Sequence, residues 1–208
     1  MPQSGFDPVP VVLETDQVRL EPLCCAHAEG LFCAGRDAAV WRFLPRGPLL
    51  DANDARRWVD EVTTEQGTGA RVGFAIIDLR CGAIAGSSSY LDVQRAHRGL
   101  EIGWTWLAPA YQRTHVNTHC KWLLLSHAFD VLGAARVQFK TDARNETSRR
   151  ALLRIGATYE GTLRKHRLLP DGGVRDSAYY SIIDTEWSGG VREHVRCLVE
   201  GGRAGGRK

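Results

Sequence analysis

The segment "GLEIGWTWLAPAYQRTHVNTHCKWLLLSHAFD", residues 99–130, constrains the fold more than any other part of the chain. An extended run rich in Trp, Ile and Leu breaks at Pro109, passes through a turn full of hydrogen-bond donors, and enters an apolar helix. Val116, Cys120, Leu123, Leu124, Ala128 and Val131 recur at helical spacing, with Lys121 and Ser126 off that face. The first turn of a helix presents unpaired N–H groups and the positive end of the dipole, so this junction favours an anion. Gln112, Arg113, Thr114, Asn117 and Thr118 add side-chain donors at the same spot. The same residues allow a plainer reading, in which Thr114 or Asn117 only caps the helix and Arg113 is solvated.

Side chains alternate across a strand, so Leu100, Ile102, Trp104 and Trp106 are expected on one face and Glu101, Gly103, Thr105 and Leu107 on the other. An acid on the inner part of a strand is costly unless paired or functional. Glu101 is therefore either solvated, paired with an arginine, or a working carboxylate with room beside it at Gly103.

Around this segment, "VVLETDQVRLEPL" reads as two short strands about a turn. A helical region follows through Ala28, Leu31, Phe32, Val40 and Phe43, closed by Pro45 and Pro48. "DANDARRWVDEVTTEQ" is a helix capped by Asp51 or Asn53, with Ala55, Trp58, Val59 and Val62 on one face. The strands "VGFAIIDL" and "GAIAGSSSYLDV" are joined by a hairpin-like Arg-Cys-Gly turn, and "GSSSY" reads as a polar strand edge. After the central helix come the strand "ARVQFKTD" and the helix "NETSRRALLRIG", capped by Asn145 and ended by Gly156. The strands "TYEGTLRKHRLL" and "VRDSAYYSIIDTEW" flank a Pro-Asp-Gly-Gly turn, and a short helix spans 191–199. No repeat or linker interrupts the chain. The expectation is one α/β domain over 1–200, a mixed sheet with helices on both faces, and a disordered tail over 201–208.

Net charge narrows the partners. At +3 over 208 residues it is too weak to argue for nucleic acid, yet it does not oppose a small polyanion. No apolar run has the length of a membrane helix and the start lacks a charged-then-apolar export signal, so a cytoplasmic protein is expected. Six cysteines without a C-x-x-C pair read as reduced, small buried hydrophobes. His115, His119 and His127 share the central helix; the first two are spaced to share a metal beside Cys120, but no third ligand recurs, so no metal is expected. His127 reads as a hydrogen-bonded, semi-buried residue. Arg149, Arg150 and Arg154 read as a solvated basic face.

Strand, "Pro-x-Tyr-Gln-x-Thr-x-x-Asn", Leu-rich helix, strand, "Asp-x-x-Asn-x-x-Ser" and "Gly-Ala" together resemble the GNAT superfamily of acyl-CoA-dependent N-acetyltransferases. "LEPL", "QRTHVNTHCKWLLLSHAFD", "RVQFKTDARNETSRRALLRIGATYEGTLRKH" and "RDSAYYSIIDTEW" resemble the branch that includes ribosomal-protein N-terminal acetyltransferases, over residues 13–187. The resemblance implies a mostly antiparallel twisted sheet with splayed central strands. Acetyl-CoA would be the co-substrate, its pyrophosphate gripped by the turn and helix start at Gln112, Arg113, Thr114, His115, Val116, Asn117 and Thr118. His115 and Asn117 stand where the family carries small residues. Asn145 matches a residue that contacts the pantetheine arm, and backbone N–H groups near Trp106 and Leu107 would hold the thioester oxygen.

By the same resemblance, Glu101 would take the proton of a primary amine, which then attacks the thioester directly. The tyrosine that often protonates the departing thiolate falls at Leu152, and Ser148, or a water it holds, is the substitute expected. A CoA thiol has a pKa of about 8.5, like a free cysteine, so its thiolate already leaves tolerably. The acceptor is a small amine, an aminoacyl compound or a protein N-terminus, its pocket formed around 41–48 and near Tyr179 and Tyr180. The alternative is a catalytically silent acetyl-CoA-binding or scaffold protein. A homodimer through the last strand or terminal helix fits the family likeness alone.

Overall fold

The computed structural model describes residues 5–169 and 172–204. Eight strands form one sheet: β1 (Leu13–Glu14), β2 (Val18–Pro22), β3 (Arg71–Asp78), β4 (Ala83–Gln94), β5 (Gly99–Leu107), β6 (Arg136–Asp142), β7 (Thr158–Leu168) and β8 (Val174–Ile183). Their order is β1-β2-β3-β4-β5-β6-β8-β7, antiparallel throughout except where β5 meets β6 in parallel. Helices α1 (Ala28–Gly35) and α2 (Ala52–Gly67) cover one face. Helices α3 (His115–Ser126), α4 (Glu146–Arg154) and α6 (Arg192–Ala204) cover the other, after the single turn α5 (Asp184–Glu186). This is the expected mixed α/β architecture.

Each face has its own core. Trp106 packs with Trp41 and Trp58 between α1, α2 and the sheet, its ring centroid 5.0 and 5.8 Å from theirs. The Ala55, Trp58, Val59 and Val62 stripe is buried there as its spacing requires, and Asp51 caps α2 by accepting from Asp54 N–H at 2.7 Å. The larger core joins Phe74, Tyr90, Leu100 and Ile102 to Val116, Cys120 and Leu124 of α3.

Several local expectations are corrected. "GSSSY" is no edge: Ser87, Ser88 and Ser89 are fully buried in the sheet's interior, and each hydroxyl is paired, with the Phe74 carbonyl, the Thr105 hydroxyl and the Arg71 guanidinium respectively. Such serines were legible as polar but not as satisfied. Five of the six cysteines are exposed and only Cys120 is buried. Val131 is 71% exposed because α3 ends in a π-turn over His127–Val131, which advances the phase of the apolar stripe. Lys121, expected off the apolar face, is buried. "DTEW" leaves the sheet at Ile183 to form α5. The terminal helix runs on through Ala204, past the expected stop at 199 and into the expected tail; 205–208 and the Pro170-Asp171 half of the expected turn lie outside the described residues. Among the described residues no helix is long and apolar enough to cross a membrane.

Candidate active site

The site originates in two irregularities of β5. Its parallel pairing with β6 stops after Glu101↔Gln138, although β5 runs on to Leu107 and β6 to Asp142, so the two strands splay. On the other side Ser89 pairs Gly103 and Ser87 pairs Trp106, which leaves Trp104 and Thr105 opposite Ser88 alone. That β-bulge, with Trp104 at φ 48°, corrects the alternation expected for this strand. Trp104 and Trp106 turn to the α1/α2 face with Glu101, while Thr105 and Leu107 turn to the α3 face with Leu100 and Ile102.

The bulge also orients the main chain. Ala108 N–H donates to the Ala85 carbonyl at 2.8 Å, so alternation aims Trp106 N–H at β4 and Leu107 N–H into the splay. The Leu107 carbonyl points the same way and accepts from the Gln112 amide at 3.1 Å. Of the two residues expected to offer a free amide here, the geometry favours Leu107.

A cavity of about 650 Å³ occupies the splay. Gln112, Arg113, Thr114 and Asn117 line one end, with Arg150 and Arg154 of α4 contributing there as well. Thr105, Lys121 and Phe139 line its middle, together with Asn145, Ser148 and Leu152. Val40, Phe43 and Leu44 line the end near α1 and α2. The helix start is shaped as expected: Thr114 caps it, accepting from Val116 N–H at 3.3 Å while its hydroxyl donates to the Tyr111 carbonyl at 2.7 Å. Asn145 likewise caps α4 through Ser148 N–H at 3.0 Å. Both residues are thus caps and cavity walls together.

Three expected contacts lie elsewhere. Val116 is buried in the core, the Thr118 hydroxyl accepts from Arg154 at 2.7 Å, and neither these nor His115 lines the cavity. The His115 ring turns away from it, with Nε2 3.7 Å from Asp78. Burial, then the neighbouring Arg80, push that imidazole below its ordinary value against the pull of Asp78, which favours the neutral ring. His119 Nδ1 bonds the Thr15 hydroxyl at 2.8 Å, and its ring meets that of His115 edge-on with centroids 5.5 Å apart. The imidazole therefore does not fill the space that a smaller residue would leave, and an anion at this helix start meets main-chain donors and the Arg113, Arg150 and Arg154 cations. Arg149 and Arg154 are engaged by Tyr180 and Thr118, so the expected solvated basic face is partly built into the structure.

Glu101 is 4% exposed and ion-paired to Lys140 Nζ at 2.6 Å. Its partner is a lysine, where sequence suggested an arginine if any. Burial pushes the carboxyl above the usual Glu value; the Lys140 ammonium pulls it back, and Asp92 adds to the rise. Gly103 gives it room: a Cβ there would stand 2.7 Å from Glu101 Oε1. Glu101 sits just behind the wall that Gly103 and Lys140 present to the cavity. Neither Lys140 nor Lys121 was singled out from the sequence. Lys140 alternates with Phe139 on β6, so a register with β5 would have placed it beside Glu101; no comparable cue marks Lys121. Tyr180 is buried against Arg149 rather than lining the cavity, and Tyr179 reaches the region only by its ring, 5.6 Å from Lys140 Nζ.

A splayed parallel pair, a bulge in β5 and a cationic helix start meet around one cavity, with a buried carboxylate behind its wall. The model of the acetyltransferase (GNAT) domain matches residues 17–158. The chain belongs to the GNAT acetyltransferase family. It is 25% identical over 174 residues to the uncharacterized N-acetyltransferase YoaA of Bacillus subtilis (strain 168), covering 83% of this chain and 96% of that one. YdaF of the same organism, provisionally described as a ribosomal N-acetyltransferase, is 32% identical over 108 residues, 52% of this chain and 58% of its own length. A crystal structure from T. thermophilus, provisionally described as an acetyltransferase, superposes with a TM-score of 0.82 at 40% identity, covering 92% of this chain and 98% of that one. The protein is an acetyltransferase.

Proposed function

We propose that the protein transfers an acetyl group from acetyl-CoA to a primary amine by direct attack. The observation that carries this reading is the continuity of the cavity, which joins the cationic helix start to the α1/α2 face through the splay where Glu101 stands behind Gly103. The diphosphate lies at the start of α3, held by main-chain N–H groups and by Gln112, Arg113 and Asn117. The pantetheine arm follows the splay past Asn145. The thioester oxygen meets Leu107 N–H, where negative charge develops during attack; losing such a donor costs about a hundredfold or more. The amine enters between Phe43 and Leu44 on the far face and loses its proton to Glu101, directly or through a water. Placing amine and thioester together supplies much of the acceleration.

The apolar rim at Val40, Phe43 and Leu44 suits an acceptor that brings an uncharged body behind its amino group. A protein N-terminus and a small amine both meet that description. Thiol release from acetyl-CoA, followed with short peptides, aminoacyl nucleosides and simple amines, tests the function. Turnover with at least one amine is expected; thermal stabilisation by CoA without turnover would leave a binder.

Thr114→Glu places a carboxylate at the proposed phosphate site while also removing the hydroxyl cap. CoA affinity, measured by calorimetry, is expected to fall about tenfold or more, since one like charge against a diphosphate readily costs about 1.4 kcal/mol. Unchanged affinity would place the co-substrate elsewhere.

A further inference from the structure

Lys121 is a charged side chain that the reaction above leaves unused. It projects from α3 into the vertex of the splay, where its Nζ donates to Thr105 Oγ1 at 2.8 Å and stands 5.7 Å from the centre of the Phe139 ring. Phe139 is the first residue of β6 beyond the last paired position, and Thr105 is the second residue of the bulge. An ammonium has three donors, and among the described residues this one makes a single hydrogen bond and pairs with no carboxylate. It is 5% exposed as a residue, yet it lines the cavity. A buried lysine without a counter-ion is costly, and here the cost falls inside the acyl-transfer cleft.

The two faces of the sheet divide the proton traffic. Glu101 is on the α1/α2 face and receives a proton from the amine. Lys121 is on the α3 face, the side from which the pantetheine arm arrives, and the departing sulfur needs a proton there. Leu152 and Phe139, which border the same space, have none to give. Burial pushes the Lys121 ammonium below the ordinary lysine value, which makes it a stronger acid than a solvated lysine.

Resting on the acetyl-CoA reading, we propose that Lys121 is the catalytic group that receives the departing thiolate, its Nζ hydrogen-bonding the sulfur of CoA and passing it a proton. As the new N–C bond forms, the C–S bond breaks and its electron pair stays on sulfur. One N–H proton of Lys121 moves to sulfur, giving CoA thiol and a neutral amine, which regains a proton from solvent after the product leaves. Thr105 holds the nitrogen in line throughout.

The test compares CoA with desulfo-CoA, which keeps the nucleotide and the arm but lacks the sulfur. The wild-type protein is expected to bind CoA about tenfold more tightly, the worth of one charge-assisted hydrogen bond. Lys121→Met is expected to bind the two alike and to lose about a hundredfold in kcat, with little change in the KM for the amine. Equal affinity of the wild type for both ligands would overturn the assignment without needing any variant to fold, and would leave the acetyl-CoA reading standing. Binding of neither ligand would overturn both. An undiminished kcat in Lys121→Met, or a kcat lost in Ser148→Ala instead, would also overturn it. So would acetyl found on Nζ of Lys121 by peptide mass spectrometry, because an amide has no acidic proton to give.

Discussion

Glu101→Gln is expected to lower kcat by about a hundredfold to ten-thousandfold, the range a positioned general base supplies, while CoA affinity stays within about twofold. The substitution keeps the shape that Gly103 accommodates and removes only the basic oxygen. Stopped turnover with intact CoA binding, read by thiol release and calorimetry, is therefore the signature; equal rates in the two proteins would remove Glu101 from the mechanism. The pH profile gives a second readout. A general base at Glu101 works as carboxylate, so kcat/KM is expected to fall as pH drops through its pKa, with the acid limb above the pH where an ordinary Glu titrates because burial raises that pKa. Lys140 holds the limb down. Lys140→Met, which removes the ion pair at 2.6 Å, is expected to shift the limb to higher pH. The same change destabilises the protein at neutral pH, where the buried carboxylate stands unpaired, and less so as pH falls and the carboxyl takes up its proton. A limb that does not move would mean that another group sets it.

Periodicity made most of the frame legible. The Ala55–Trp58–Val59–Val62 stripe, the Asn145 cap, caps at Asp51 and Thr114 (each one of two candidates), and most of the succession of strands and helices follow from local rules that the tertiary structure does not override. What stayed hidden sits where local rules are broken. Strict alternation put Trp104 and Trp106 on the wrong face of β5 because a bulge is one extra residue, and nothing in "GWTW" announces which strand position will be skipped. The error matters for the chemistry: it set Thr105 beside Glu101, whereas the bulge sends Thr105 to Lys121 on the other face. Lys121 and Lys140 were invisible for a related reason. A lysine reads as solvated in any pattern count, and only the closing of the sheet around the splay shows that these two turn inward. His115 is the converse. Its bulk stood as an obstacle in the phosphate turn, and its ring direction, toward Asp78, is set by a strand 37 residues earlier in the chain.

Trp106→Ala is expected to destabilise the protein by about 3–5 kcal/mol, the usual cost of emptying a large buried aromatic site, or roughly 6–20 °C in Tm for a chain of this length. The ring is 3% exposed and packs against Trp41 and Trp58, so its removal leaves a cavity that neither neighbour can fill without leaving its own place. Trp41 is held by its Nε1 donating to the Gly35 carbonyl at 2.6 Å, and the Arg46 guanidinium lies over its ring, 5.7 Å from the centroid. Trp106→Phe is expected to cost much less. Among the described residues the Trp106 Nε1 meets no acceptor, so Phe gives up packing area but no hydrogen bond, and it removes a buried unpaired donor. Denaturant midpoints for the two variants check the ordering; a Phe variant as unstable as Ala would mean that the indole N–H has a partner after all. The packing reaches into function through the short 3-10 turn Ala38–Trp41, which carries Ala39 and Val40 to the cavity rim and is pinned by Trp41. Loosening Trp41 should therefore blur the acceptor end and not the helix start. In Trp106→Ala, assayed well below its lowered Tm, the KM for the amine is expected to rise while the KM for acetyl-CoA stays close to that of the wild type; equal rises in both would mean that Trp106, which itself lines the cavity, serves both ends.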